Sequence, residues 1–315
     1  MNSWLLFSFI GTFGWGISLF LIKILLGCMT PIEIVLYRMA IGSILLFVLV
    51  KAMRIHVDNF KFLLRDGIII GIFNITVPYY LTSLAEKSVA TSLASVINGL
   101  TPIFVFMLSY FFAADKKKIN YVNITSLLLG LIGIIVIHFD DTLDQYSKTG
   151  ISILLLASFS YGIAALYMHR WIKTREPLLV ALTAAIVSIT LLIPCKMITS
   201  HTWHFPHHLE QLFALTWLGA IGSGLSLYLY CSLIHQAGPI LASMVTYLMG
   251  LTGVLMGIVF LHEHFSMTII IGCSCILLSL MLMNHQQFFL KLLPWWIINR
   301  KKIRPFILDN SRKKS

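Results

Sequence analysis

The feature that most constrains this chain is a succession of ten apolar runs, each close to the length a helix needs to cross a lipid bilayer. A spanning helix requires about 20 mostly apolar residues, because the hydrocarbon core is about 30 Å thick and each helical residue rises about 1.5 Å. The runs fall at 4–22, 32–50, 67–85, 89–113, 122–137, 151–169, 178–195, 212–234, 239–261 and 267–283. Only 11% of the residues are charged and 58% are hydrophobic, whereas soluble domains carry roughly 25% charged residues. The expected fold is therefore all-α, a membrane protein of ten transmembrane helices with lipid as its main solvent. The connections are short and leave no room for a soluble domain. The extended polar segments are 51–66, the stretch around 201–211, and the tail.

The formal charge of +11 would suggest nucleic acid in a soluble protein, but the basic residues sit in short loops and in the tail. Cytoplasmic loops collect Lys and Arg. With the N-terminus inside, that side receives Lys51, Arg54, Lys61 and Arg65, then Lys116 to Lys118, then Arg170, Lys173 and Arg175, then a tail from Lys291 to Lys314. The opposite side receives Lys87, Lys148 and Lys196, with an acidic loop at Asp140, Asp141 and Asp144. Both termini are thus expected in the cytoplasm, in a multi-pass protein of the inner (plasma) membrane. Topology explains the charge, so no nucleic-acid partner is expected. The first run is too long for a signal-peptide core and lacks a basic stretch before it, so it reads as the first span.

The five cysteines form no CxxC pair and read as small packing residues. His201, His204, His207 and His208 bring four imidazoles into one outer loop without a Cys or acidic ligand arrangement, which argues against a metal site. His262-Glu263-His264 is not a zinc motif, because histidines two apart do not share a helix face. With no reactive nucleophile, phosphate loop or metal motif, neither a metal nor a cofactor is expected.

The chain also repeats itself. A shift of 148 places Tyr80 on Tyr228, Ala94-Ser95 on Ala242-Ser243, Leu100 on Leu248, Phe112 on Phe260, Asp115 on Glu263 and Ser126 on Ser274. Near the start of each half a shift of 146 places Phe13-Gly14-Trp15-Gly16 on Phe159-Ser160-Tyr161-Gly162. A five-span unit repeated once inserts its second copy upside down, the plan of many secondary transporters, whose binding site lies between the repeats near the membrane midplane. The expected organisation is a first repeat at 1–138, a second at 149–284, and a basic cytoplasmic tail at 285–315. Phe288 to Trp296 and the basic residues beyond them read as an anchor on the anionic leaflet.

These residues resemble the EamA-type members of the drug/metabolite transporter superfamily. The resemblance rests on Trp15-Gly16 followed by Lys23, on Pro31 and Arg38 leading the second helix, and on Pro102 and Asp115 in the fourth, echoed by Thr246-Tyr247-Leu248 and Glu263. Gly130 and Gly133 match its Gly-rich fifth helix. It covers residues 1 to about 285. The second half departs from the pattern, with Gly250 where Pro is usual, Leu278 and Met281 opposite the two glycines, and no counterpart of Arg38. The resemblance implies two inverted EamA repeats around a central cavity, serving export of amino acids, other metabolites or drugs.

Polar groups in spanning helices cost free energy unless they are bonded, so they should face neighbouring helices or a wet cavity. Trp15, Asn74, Tyr79, Asn98, Tyr161, Tyr228 and Tyr247 are the candidate lining of a substrate pocket. Arg38 is the one strong charge well inside a run and requires a partner, either Glu33 one turn away, a helix-end carbonyl, or an anionic group on the substrate. Glu33, Glu86, Asp115 and Glu263 fall at helix ends, so no buried carboxylate relay is evident, and proton coupling would have to use His138, His169 or His235. Gly67-x-x-x-Gly71 and Gly253-x-x-x-Gly257 have the spacing for close helix packing. The expected function is a secondary transporter of a small-molecule substrate by alternating access. The alternatives are a membrane-embedded enzyme or a scaffold.

Overall fold

The computed structural model describes residues 3–56, 60–112, 121–139, 143–171, 176–199, 202–243, 245–263 and 266–292. Asp115 with Lys116 to Lys118, Asp140 and Asp141, Lys173 and Arg175, His201, and the tail from 293 lie outside the described residues. So do the side chains of Tyr247, Ser243, His138 and His169.

The described residues form an all-α, multi-pass bundle. Helix α1 occupies 3–25 and joins Ser3–Phe9 to Ser18–Leu25 through a π-turn at Ile10–Gly14. Helix α2 is Pro31–Ala52. Helix α3, Phe60–Ala85, contains a π-turn at Gly71–Thr76, and α4 is broken into Thr91–Asn98 and Thr101–Phe112. Helices α5 (Tyr121–His138), α6 (Gln145–Trp171) and α7 (Pro177–Thr199) follow. Helix α8 covers 209–243 with a π-turn at Ala220–Leu225, and α9 (Val245–Leu261) and α10 (Met267–Leu292) complete the order. Seven of these are long and apolar enough to cross a membrane, namely α1, α2, α3, α4, α6, α7 and α8, while α5, α9 and α10 hold shorter apolar stretches.

Two boundaries differ from those expected. Helix α3 begins at Phe60 rather than 67, because Asp66 is not in a polar loop but buried, accepting a hydrogen bond from the Tyr167 hydroxyl at 2.5 Å and pairing with Arg65 Nη2 at 3.1 Å. A satisfied carboxylate can occupy a helix that an unsatisfied one would end. In the second half the helix Ser226–Ser243 carries straight through Pro239, where the ninth run was expected to start.

Local chemistry explains the helix starts. Pro31 stands in the first turn of α2, and Thr30 and Glu33 form a reciprocal cap, with Glu33 Oε2 accepting from the Thr30 N–H and hydroxyl at 2.8 Å each. Pro102 cannot donate to the Asn98 carbonyl, so α4 breaks there and the Thr101 hydroxyl takes over that carbonyl at 2.8 Å.

The bundle is held across its length by pairings between distant segments. Helix α2 packs on α7, α4 on α9 and α5 on α10, while α3 packs on α6 and α1 on α8. Where α2 crosses the π-turn of α8 the two backbones touch, and a Cβ on Gly42 would stand 3.0 Å from the Gly224 nitrogen. At the crossing of α4 and α9 a Cβ on Gly253 would overlap Ser95. Without a hydrophobic force between helices in lipid, such backbone approach is the main source of attraction.

Candidate functional site

A cavity opens beside the π-turns of α1 and α3 and the break in α4. It is lined from α1 by Trp15, Ser18, Leu19 and Ile22, from α2 by Arg38, and from α3 by Asn74, Tyr79 and Thr82. Asn98 and Thr101 flank the break in α4, Tyr161 reaches it from α6, and Tyr230, Thr246 and Met249 close it from α8 and α9. Irregular backbone at membrane depth is tolerated where it borders a cavity, because freed polar groups can be met there by solvent or ligand.

Six of the eight residues expected at the pocket line it: Trp15, Arg38, Asn74, Tyr79, Asn98 and Tyr161. Tyr228 does not. It packs instead against the apolar core between α7 and α8, and Tyr230, two residues on and so on the far side of the helix, takes the cavity position. The side chain of Tyr247 lies outside the described residues, and its neighbour Thr246 lines the cavity. Thr82 and Met249, which also line the cavity, were not singled out in the sequence.

Aromatic rings form the walls. Trp15 and Tyr230 meet at 4.8 Å between centroids with their planes tilted by 54°, and Tyr79 meets Tyr161 edge-on at 6.4 Å. Polar groups are sparse and oriented. The Ser158 hydroxyl approaches the Ile97 carbonyl at 3.2 Å and Asn98 Oδ1 at 3.5 Å, and the amide nitrogen of Asn74 is buried with no acceptor among the described residues.

Arg38 is 2% exposed. Its Nε donates to the Ser223 hydroxyl at 2.7 Å, and Ser223 in turn donates to the Leu218 carbonyl at 2.8 Å, a bond available because the π-turn displaces that part of α8. The guanidinium carbon sits 4.0 Å from the centre of the Tyr79 ring. Glu33, the expected partner on the same helix, is not one. Its carboxylate is taken by Lys196 Nζ of α7 at 2.9 Å and by the backbone N–H of His204 at 3.0 Å, with the His204 ring at 3.1 Å. Ser223 supplies no charge, so the cation of Arg38 faces the cavity with no anion beside it among the described residues.

Two further carboxylates stand at helix ends, Glu86 buried and Glu263 half-buried. Glu86, directly after α3, is fully buried. Glu263 reaches the start of α4, where it accepts from the Thr91 N–H at 2.7 Å and from the Ser92 N–H and hydroxyl at 3.0 and 2.5 Å. The histidine loop before α8 is tied down through His204, and no group of three or more metal-ligating side chains comes together among the described residues.

The chain is similar to several membrane proteins. It is 24% identical to the uncharacterized transporter YvbV of Bacillus subtilis over 87% of this chain and 88% of that one. It is 24% identical to the uncharacterized inner membrane transporter YedA of Escherichia coli K12 over 77% and 78%. With the uncharacterized transporter YdfC of Bacillus subtilis it shares 28% identity, over 46% of either chain. A solved crystal structure of a protein 15% identical in sequence superposes with a TM-score of 0.64 over 90% of this chain and 97% of that one, a likeness of fold. The EamA-like transporter family matches twice in succession, at residues 2–139 and at 148–285, together covering nearly all of the described bundle. The chain therefore belongs to the EamA-like transporter family of the drug/metabolite transporter superfamily, and is a transporter rather than an enzyme.

Proposed function

We propose that this protein moves a small metabolite carrying an anionic group, such as an amino acid, across the inner membrane by alternating access. Its ten spans form two inverted five-helix repeats, 1–138 and 149–284, with both termini in the cytoplasm and a basic tail on that leaflet. The cavity between the repeats holds the solute, and rocking of one repeat against the other opens it to each side in turn.

The observation that carries this reading is the pairing of the cavity residues. Thr82 and Tyr230, Asn98 and Thr246, and Thr101 and Met249 are each separated by the repeat shift of 148, and Trp15 and Tyr161 by the shift of 146. Helix contacts support the same symmetry, since α2·α7, α4·α9 and α5·α10 each join a helix to its repeat mate, and α3·α6 exchanges with α8·α1. The π-turns of α3 and α8 also fall at matching places. Arg38 breaks the symmetry, having no counterpart in the second half. A buried guanidinium on the cavity wall, beside aromatic rings and without an acid paired to it among the described residues, suits a carboxylate with an apolar body, because bidentate pairing with a guanidinium requires an anion of that shape.

Counterflow in proteoliposomes with a panel of labelled amino acids and carboxylated metabolites tests the reading, the panel being narrowed by comparing metabolites in cells with and without the gene. Saturable exchange of a carboxylated solute is expected, with Arg38→Ala abolishing it and Arg38→Lys retaining part. Absence of counterflow across the panel, or tags placing the two termini on opposite faces, overturns the reading. Unchanged exchange in the Arg38→Ala protein overturns the anionic substrate class alone.

A further inference from the structure

Three buried polar residues run along one face of α3 toward the outer end. Tyr79 and Thr82 line the cavity, and Glu86 follows one turn beyond Thr82, its N–H donating to the Thr82 carbonyl at 3.0 Å. The spacing of three and then four residues puts all three side chains on a common helix face. Glu86 is 0% exposed, and neither carboxylate oxygen has a hydrogen-bond partner among the described residues. The hydroxyls of Thr82 and Thr91 are likewise buried and without a partner among the described residues. Buried polar atoms left this way mark places where water enters or a proton sits, because an isolated ionised carboxylate in low dielectric costs far more than a neutral one.

The surrounding charges do not neutralise it. Lys23 of α1 directs its ammonium to the backbone carbonyls of Glu86 and Val89, at 2.6 and 3.3 Å, rather than to the carboxylate. Glu263 stands close by and is committed to Thr91 and Ser92. Arg38 of α2 acts from within the cavity through its positive charge, Lys87 is exposed, and α6 brings Lys148 to the same end of the bundle. Burial, opposed by Lys23 and Arg38 and reinforced by Glu263, holds the Glu86 carboxyl well above the ordinary carboxylate range.

We propose that Glu86 is a proton-binding site that couples solute movement to the proton gradient. In the conformation described here it is sealed from the outer solution by Glu263 clasping the start of α4, and it carries its proton. Separation of α4 from Glu263 admits water, and the proton is then exchanged with the outside. The polar face of α3 links that event to the solute bound one to two turns below. Proton binding is a property of this chain by itself, whereas coupling rests on the transport reading given above.

Two measurements on the full-length protein in liposomes test these parts separately. Infrared difference spectra across a pH titration should show a protonated-carboxyl band at neutral pH that disappears in Glu86→Gln and persists in Glu263→Gln. Its absence from the native protein, or its persistence in Glu86→Gln, overturns the proton site. With a solute identified by counterflow, a pH gradient should drive accumulation of about tenfold per pH unit for one proton per solute. In Glu86→Gln accumulation should fall to equilibration while counterflow continues. Native-like accumulation in Glu86→Gln, or loss of counterflow in that variant, overturns the coupling role. If the native protein exchanges nothing, the transport reading fails while the infrared result still decides the proton site.

Discussion

Glu263 and Glu86 stand at the same end of the bundle and feel one another's charge, yet their surroundings are opposite. Glu263 collects three donors from the first turn of α4, and Glu86 collects none. The supply of donors, more than depth, decides whether an acid at a helix end becomes a brace or a group that trades its proton. Glu33 extends the comparison to the fully paired extreme, with the Thr30 cap, Lys196 and His204 all on one carboxylate. Each carboxylate should therefore respond differently when its charge or partner is removed.

The largest effect is expected at the paired extreme. Lys196→Ala leaves Glu33 buried beside an absent cation, and loss of one partner of a buried pair costs about 3–5 kcal/mol. The midpoint of thermal unfolding in detergent should drop sharply, and adding Glu33→Gln should restore part of it. Full stability of the single variant would mean that the 2.9 Å pair does not hold α2 to α7. An intermediate effect is expected for Glu263→Gln, which keeps shape but replaces one acceptor oxygen with a donor facing the N–H groups of α4. A loss of about 1–2 kcal/mol should follow, measurable by the same unfolding and by faster amide exchange at Thr91 and Ser92.

Glu86→Gln should cost least, because the native side chain already resembles a neutral amide and makes no bond to lose. Its signature is in the pH dependence. With the folded value raised above the ordinary 4.5, the folded state holds more protons, so this group's contribution to stability declines as pH rises from about 4.5 through the raised value. Glu86→Gln should abolish that slope, whereas Glu263→Gln should keep it over a narrower pH range, because burial remains and only the neighbouring negative charge is lost. A slope of the opposite sign, or one indifferent to position 86, would erase the contrast between the two glutamates.

The all-α bundle was legible because lipid imposes a length on every apolar run. Arg38 stood out for the same reason, as a charge where hydrocarbon tolerates few. Its partner was not legible, since Ser223 lies 185 residues away and reaches it only because α8 carries a π-turn. The place of Tyr230 at the cavity was not legible on similar grounds. Matching aromatic to aromatic paired Tyr80 with Tyr228, neither of which lines the cavity, whereas the pair that lines it at the same shift is the chemically unlike Thr82 and Tyr230. Glu86 was read as an ordinary helix-end acid because sequence records position along a helix and not what packs over its end.

The π-turn at Gly71–Thr76 sets the aim of everything that follows it in α3. It accommodates a surplus residue, so losing one position there would let the segment relax to ordinary helix and leave the rest of α3 facing as before. The same loss from the regular helix on either side would turn Tyr79, Thr82 and Glu86 away from the solute together, by about 100°. A chain of this kind should bear a single-residue deletion inside that turn better than one beside it.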